Sequence, residues 1–333
     1  MTSFKIVSYN MHGFYNGIDF VNEILDKVDC ICVQEHWQRE QSLSVFNYID
    51  DKFSSISYSS MYVDDLHARG RPYGGLAILY RSNKIKLIEK FNMCMNKRVC
   101  TALFDVLGTQ MLLFNVYFPC KGDVDYNSEI DIICGYVTSI IDSFKSPDMN
   151  VIIAGDFNDD LSVSEFKGLN CWKNIMNIHN LIPCSSIYKG KINYTFRNDT
   201  RDVSSFIDNI VFDKKLLNNL NYVDIIDDVT NFSDHLAITC HFHMNTAYNE
   251  QTKNKNYSSN MLRKYFWTDF AKDKYYADTG LALQLTLAKY SIIKSLSVND
   301  LNNLYEEIVN VLRNCSDPYL HNWHKSSKFK WSK

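Results

Sequence analysis

Eight polar side chains fall at or beside the ends of short apolar runs: Asn10, Glu35, Tyr117, Asp156, Asn158, Asp208, Asp234 and His235. As a set they have the makings of phosphate-ester chemistry. Glu35 is a hard oxygen ligand suited to Mg²⁺, which takes one or two carboxylates and otherwise keeps water or substrate phosphate. Asp156 could orient and deprotonate a water, while Asn10, Asn158 and Tyr117 could donate hydrogen bonds to phosphoryl oxygens. His235 could stabilise a phosphate or exchange a proton, its tautomer set by a carboxylate such as Asp208. Taken singly, each has a plainer reading: Glu35 as a solvated loop acid, Asp208 as a turn cap, His235 as a structural histidine, Tyr117 as core packing. Eight together are hard to ascribe to coincidence, because strand ends of open sheets converge on the crevice where ligands bind.

The elements that must position these groups are legible around residues 151–158, V-I-I-A-G-D-F-N. Four small or β-branched apolar residues suit a strand buried on both faces. Gly155 breaks it, and Asp156 and Asn158, two apart, point the same way on an extended chain. Residues 5–8, 30–33, 76–80, 99–106, 111–117, 206–212 and 236–242 read as further strands, with 99–106 and 111–117 a hairpin joined at Gly108 and Thr109. Phe20, Val21, Ile24, Leu25 and Val28 have helical spacing with Asp19 near the start, and residues 130–144 give a second helix. Residues 37–65 are polar and poorly periodic, and 164–179 leave helix and strand both open. Apolar strands, hairpins and a few helices predict a mixed α/β domain built on sheets.

The chain of 333 residues is 46% hydrophobic, enough for a full core, and its net charge of −3 lacks the basic excess of a tight, nonspecific nucleic-acid binder. A nucleic-acid enzyme with local, weak contacts remains compatible with that charge. The ten cysteines show no zinc spacing, and Cys30 and Cys32 sit inside an apolar run, as small buried hydrophobes do. The amino terminus lacks the apolar core of a signal peptide, and no run reaches membrane-span length. These features predict an intracellular protein, nuclear or cytoplasmic and not secreted, with free thiols in preference to disulfides and no membrane partner. Composition changes near residue 245. The expected organisation is a domain over 1–244, a polar linker over 245–262 rich in Asn and Lys, and a helical extension over 263–333. Helices are expected at 281–296 and 298–312, with Ser297 or Asn299-Asp300 as the cap region.

The motifs N-M-H-G at 10–13, Q-E-H at 34–36, N-V-Y-F-P at 115–119, G-D-F-N at 155–158, F-I-D-N-I at 206–210 and S-D-H-L at 233–236 resemble, in order, those of the endonuclease/exonuclease/phosphatase superfamily. The resemblance covers roughly residues 3–243. It implies a four-layer α/β sandwich, two packed mixed sheets flanked by helices, here with a short helical C-terminal extension. It also implies a Mg²⁺-dependent attack of water on a phosphate ester, Mn²⁺ being the alternative ion. Carried over by motif, Glu35 binds the metal with help from Asn10, and Asp234 lies near it. Asp156 aligns or activates the water, Asn158 holds the phosphate, and His235, oriented by Asp208, stabilises the pentacovalent phosphorus. Tyr117 matches the tyrosine that contacts the scissile phosphate in the nuclease branch. His12 departs from the acid usual in abasic-site nucleases, which weakens that reading.

Residues 70–81, G-R-P-Y-G-G-L-A-I-L-Y-R, look like the glycine-pair strand of endonucleases from LINE-type retrotransposons, and Thr195 sits where those enzymes have a threonine beside the phosphate. Residues 265–269 and 274–276 resemble the segment that follows the endonuclease in such polyproteins. The resemblance therefore implies a DNA substrate, nicked to leave 3′-hydroxyl ends, and a reverse transcriptase module as partner, in trans or in a longer parent polyprotein. The loop around Arg69 and Arg71 offers local positive charge to the DNA backbone. The alternatives are a phosphoesterase of the same superfamily acting on a lipid or small phosphate ester, and a catalytically idle binding module.

Overall fold

The computed structural model describes residues 2–61, 73–144, 146, 148–161, 170–244, 263–265, 269–291, 297–316 and 320–322. The expected loop around Arg69 and Arg71 lies outside them. By their contacts the residues group into two units, Met1–Tyr248 and Asn249–Lys333.

The first unit opens with β1 (Thr2–Asn10), α1 (Phe14–Ile24) and β2 (Cys30–Gln34). It continues through β3 (Phe53–Tyr58), β4 (Leu76–Arg81), β5 (Ile85–Lys90), β6 (Val99–Val106) and β7 (Thr109–Tyr117). Next come α2 (Tyr126–Ser143), β8 (Asn150–Asp156), α3 (Asn170–Ile178) and β9 (Leu181–Pro183). The short strands β10 (Phe196–Asn198) and β11 (Val203–Ser205) pair with each other, and β12 (Asp208–Asp213), β13 (Leu220–Ile226) and β14 (Ala237–Met244) close the unit.

Two six-stranded mixed sheets result, ordered β13-β14-β1-β2-β4-β3 and β5-β6-β7-β8-β12-β9. Alternation along each strand makes the layers. In β1, Phe4 and Ile6 enter a core that also holds Phe104, Leu113, Ile152, Phe212 and Phe242 from both sheets. Val7 and Tyr9, on the opposite face, pack against Phe20, Val21 and Ile24 of α1. Likewise Leu112, Phe114, Val151 and Ile153 face α2 and α3 through Ile133, Val137 and Trp172. The unit is thus the expected α/β sandwich of four layers.

Several elements differ from the sequence expectation. The polar stretch 37–65 contains a 3₁₀ segment, Glu40–Tyr48, and the edge strand β3. The ambiguous stretch resolves in part as α3. The helix expected from Asp19 begins earlier, at Phe14, after Gly13 turns the chain with φ 100°. Cys134 on α2 and Cys171 on α3 form a disulfide, so the expectation of free thiols fails for this pair. Their separation of 37 residues hides the pairing in the sequence, while α2 and α3 bring them face to face. Cys30 and Cys32 are free and buried, as their apolar run implied.

In the second unit, β15 (Arg263–Tyr265) and β16 (Leu320–Asn322) form an antiparallel pair, and α4 (Asp269–Ser291) packs on α5 (Val298–Ser316). Ser297 caps α5: its Oγ lies 2.6 Å from Asp300 Oδ2 and accepts from the Asp300 N–H, and its own N–H donates to Asp300. This is a capping box with aspartate as the acid. No helix among the described residues is long and apolar enough to cross a membrane.

Candidate active site

The site follows from strand direction. β7 and β8 run parallel, so Tyr117 lies beside Asp156, and β12 runs antiparallel to β8, so its first residue, Asp208, lies on the other side of Asp156. In the facing sheet β1 and β2 are parallel and end together at Asn10 and Gln34, one residue before Glu35. β14 is antiparallel to β1, so its approach, Asp234 and His235, enters at the same edge. A polar clamp joins the sheets beneath: Gln34 Nε2 donates to Asn115 Oδ1 (2.7 Å), and Asn115 Nδ2 donates to the carbonyls of Val33 and Ala77 (2.9 Å each). Sequence reasoning assigned Gln34 and Asn115 no task, although an amide inside an apolar strand was the available signal.

Asn10 links the two halves. Its Nδ2 donates to Glu35 Oε1 at 2.8 Å and to Asp156 Oδ2 at 3.0 Å. Trp37 Nε1 donates to the other Glu35 oxygen at 3.2 Å. Glu35 itself adopts a left-handed backbone, φ 53°, held by its neighbour His36, whose Nδ1 accepts from Gln38 N–H and whose Nε2 lies 3.0 Å from the Tyr58 carbonyl. His235 Nδ1 lies 2.8 Å from Asp208 Oδ2, and Phe196 packs its ring 5.0 Å from the imidazole. Ser233 fixes the approach: its Oγ donates to the Asn10 carbonyl and accepts from His235 N–H. Asn231 Nδ2 donates to the His235 carbonyl while its Oδ1 accepts from Tyr9.

Other expected site residues are placed less directly. Asn158 has φ 49°; its N–H donates to Asp156 Oδ1 (2.9 Å) and its Nδ2 to the Phe118 carbonyl (2.8 Å). Thr195 is fully buried, and its Oγ1 accepts from the N–H groups of Ile207 and Asp208, which places it beneath the start of β12. Asp234 pairs with Nδ1 of His12 and lies 4.0 Å from His235 Nε2. Arg69 and Arg71 cannot be placed, being outside the described residues.

Charge in this crevice is unevenly matched. Burial, then the nearby charge of Asp208, pushes the Asp156 carboxyl up to about 7. Burial would lower the His235 pKa, but Asp208, then Asp156 and Asp234, outweigh it and push the imidazole up to about 10. Burial, followed by the charges of Glu35 and Asp156, raises the Tyr117 phenol well above its ordinary value, so it stays a neutral donor. Asp208 Oδ1 is buried with no partner among the described residues, and Asp156, Asp208 and His235 place ligand atoms within 4.8 Å of one another. Glu35 accepts one of these hydrogen bonds at each oxygen, which leaves lone pairs available. An excess of carboxylate over donors, with hard oxygen atoms available, fits a divalent cation.

Fold and site together define a class: an α/β sandwich whose strand ends gather acids, amides and an acid-oriented histidine for hydrolysis at phosphorus. The chain belongs to the Endonuclease/Exonuclease/phosphatase family, whose model matches residues 7–235. Members are metal-dependent hydrolases of phosphate esters, and this chain is an enzyme of that kind. Among solved structures it is similar to an AP endonuclease from Leishmania major, at 16% identity over 73% of this chain and 88% of that one, TM-score 0.56. It is also similar to the 3′ phosphatase NExo from Neisseria bound to product DNA hairpin (15%, 72% and 100%, 0.54). A third is the human Nocturnin catalytic domain (15%, 73% and 95%, 0.53). At these identities the likeness is one of fold. A comparison with curated proteins gives no significant match.

Proposed function

We propose that the protein is a Mg²⁺-dependent endonuclease that nicks duplex DNA to leave 3′-hydroxyl ends, as in LINE-type retrotransposition. The observation that carries the hydrolytic part is Asn10, one amide tying Glu35 to Asp156 beside the Asp208–His235 pair. Glu35, with Asn10 and Asp234, would hold the ion, which when bound supplies charge compensation to the phosphate. Asp156, with its carboxyl near neutrality, takes the proton of the attacking water. His235, cationic at neutral pH, faces the developing charge on phosphorus, and Asp208 fixes its ring. Tyr117 and Asn158 donate to phosphoryl oxygens. Thr195 sets the strand that bears Asp208, and Arg69 and Arg71 meet the DNA backbone.

Support for DNA comes from the nuclease-type tyrosine at 117 and the Gly74-Gly75 strand, with two DNA-processing enzymes among the similar folds. The same reading makes residues 1–244 the catalytic domain, 245–262 a linker and 263–333 an extension towards a reverse transcriptase, in trans or in a longer polyprotein. It places the enzyme where DNA is, in the nucleus or cytoplasm. The test sets supercoiled plasmid against sphingomyelin and inositol phosphates at equal enzyme and Mg²⁺. Nicked circles extendable by a polymerase are expected. Faster release of phosphate or phosphocholine would overturn the DNA assignment in favour of a small phosphate ester.

A further inference from the structure

We propose that Trp37 and His12 are positioning residues that hold the outer carboxylates of the site, Glu35 and Asp234, in the geometry that receives the divalent ion. The inference rests on the hydrolytic reading above. Three consecutive links carry it. Trp37 Nε1 donates to Glu35 Oε2, opposite the donation of Asn10 to Oε1, so the carboxylate is held at both oxygens and its plane is fixed. Without the indole N–H it would be held at one oxygen and could turn about its last torsion. The His12 ring meets the Trp37 indole edge-on, centroids 4.8 Å apart at 82°. Nδ1 of His12 in turn pairs with Asp234 Oδ1.

The backbone is arranged to hold this chain. His12 (φ 43°), Glu35 (φ 53°) and Trp37 (φ 55°) all adopt the left-handed region that non-glycine residues seldom enter. Such outliers persist only where surroundings over-determine them, and they gather at functional sites. The indole is seated by its backbone, whose N–H donates to the Gly74 carbonyl at 2.9 Å, and by Gly13, where any Cβ would lie 2.5 Å from Cε3. His12 is anchored through its N–H to Asn10 Oδ1 and through its carbonyl to Asn16 Nδ2. Asn10 therefore touches the Glu35–Trp37–His12–Asp234 chain twice, at Glu35 and at His12. An indole is also a donor that cannot ionise. It fixes Glu35 while leaving the full negative charge for the ion, which a lysine at the same place would partly neutralise.

The test uses the full chain and Mn²⁺ as probe. Binding is measured by calorimetry, and hydrolysis is measured against Mg²⁺ concentration. Trp37→Phe keeps an aromatic plane on Gly13 and His12 and removes only the N–H. Partners of this kind commonly shift metal affinity about 10–100-fold. Trp37→Phe and His12→Ala are each expected to weaken Mn²⁺ binding about 10-fold or more, with much of the rate restored at saturating Mg²⁺. His12→Asn, whose Nδ2 takes the place of the ring Nδ1 as donor to Asp234, is expected to recover most of the affinity. Wild-type Mn²⁺ affinity in either loss variant overturns the proposal. Should Trp37→Phe fail to fold, the His12 pair decides alone, since that side chain is 32% exposed. Wild-type protein that neither binds Mn²⁺ nor hydrolyses any phosphate ester would sink the hydrolytic reading itself, a different result.

Discussion

Gly155 offers a quantitative test of how the site is positioned. It lies in β8 opposite Val116 of β7, and a Cβ built there would sit 2.0 Å from the Val116 carbonyl oxygen and 2.6 Å from its Cγ2. Ordinary contact begins at 3.4 Å, so Gly155→Ala must part the two strands by about 1.4 Å. The blocking atom is backbone in mid-sheet, and no side chain can swing aside to relieve it. Asp156 is the next residue, and Tyr117 follows Val116, so the displacement falls between the acid proposed to activate water and the phenol. Crowding of this kind costs about 1–3 kcal/mol of stability. A misplacement of about 1 Å at a reacting centre costs about 10²-fold in rate. Gly135→Ala is the control, because Gly135 sits exposed within α2 and its Cβ would meet nothing within 4 Å. There the same substitution should stabilise by about 0.5–1 kcal/mol and leave the rate alone. Thermal melts and initial rates of plasmid nicking at saturating Mg²⁺ read both. A Gly155→Ala protein with wild-type melting and wild-type rate would refute the close-approach argument.

Glu35→Ala and His235→Ala should each lower turnover about 10²-fold or more in protein that remains folded, because each removes a ligand or an oriented charge; near-wild-type hydrolysis by either would falsify the site. His36 predicts an acid limit to stability in metal-free buffer. Burial pushes its pKa down from 6.5 to about 4, so the unfolded chain takes up a proton that the fold resists. Stability is full above pH 6.5, falls by about 2 kcal/mol at pH 5 and continues to fall through pH 4. Urea melts of wild type and His36→Gln at pH 7.5 and 5 should show the wild-type advantage shrinking, and an advantage equal at both pH values would count against it. Finally, residues 1–244 alone should melt cooperatively and cleave, since the polar stretch beyond them reads as a boundary; aggregation of that fragment would place the tail within the domain.

What the sequence revealed and concealed divides along burial. β2, β8 and β12 are buried along nearly their whole length, so their apolar runs are little broken, and the acids at or beside their ends stand out. β3, β5 and β13 lie at or near sheet edges and alternate with exposed polar residues, which left them looking like loops. Asp208 was expected inside its strand and proves to be its first residue, because β12 is aligned by its antiparallel register with Asp156 and not by where its own apolar run starts. Thr195 was read as a substrate contact from its motif position; that its hydroxyl also accepts two backbone N–H groups is a relation that only tertiary structure displays. Trp37 and His36 were likewise silent: left-handed backbone and a glycine carbonyl at position 74 give them their directions, and neither is written in periodicity.

The pairing of β1 with β14, which sets Thr2 against Met244 and Ser8 against Ile238, has a consequence for the order of events during synthesis. Asn10 is made more than two hundred residues before Asp234 and His235, which the approach to β14 brings beside it. Contacts so distant along the chain form late. A nascent chain therefore pairs β1 with β2 first and lacks Asp234 and His235, two of the eight site residues, until the approach to β14 is made and β14 closes the sheet.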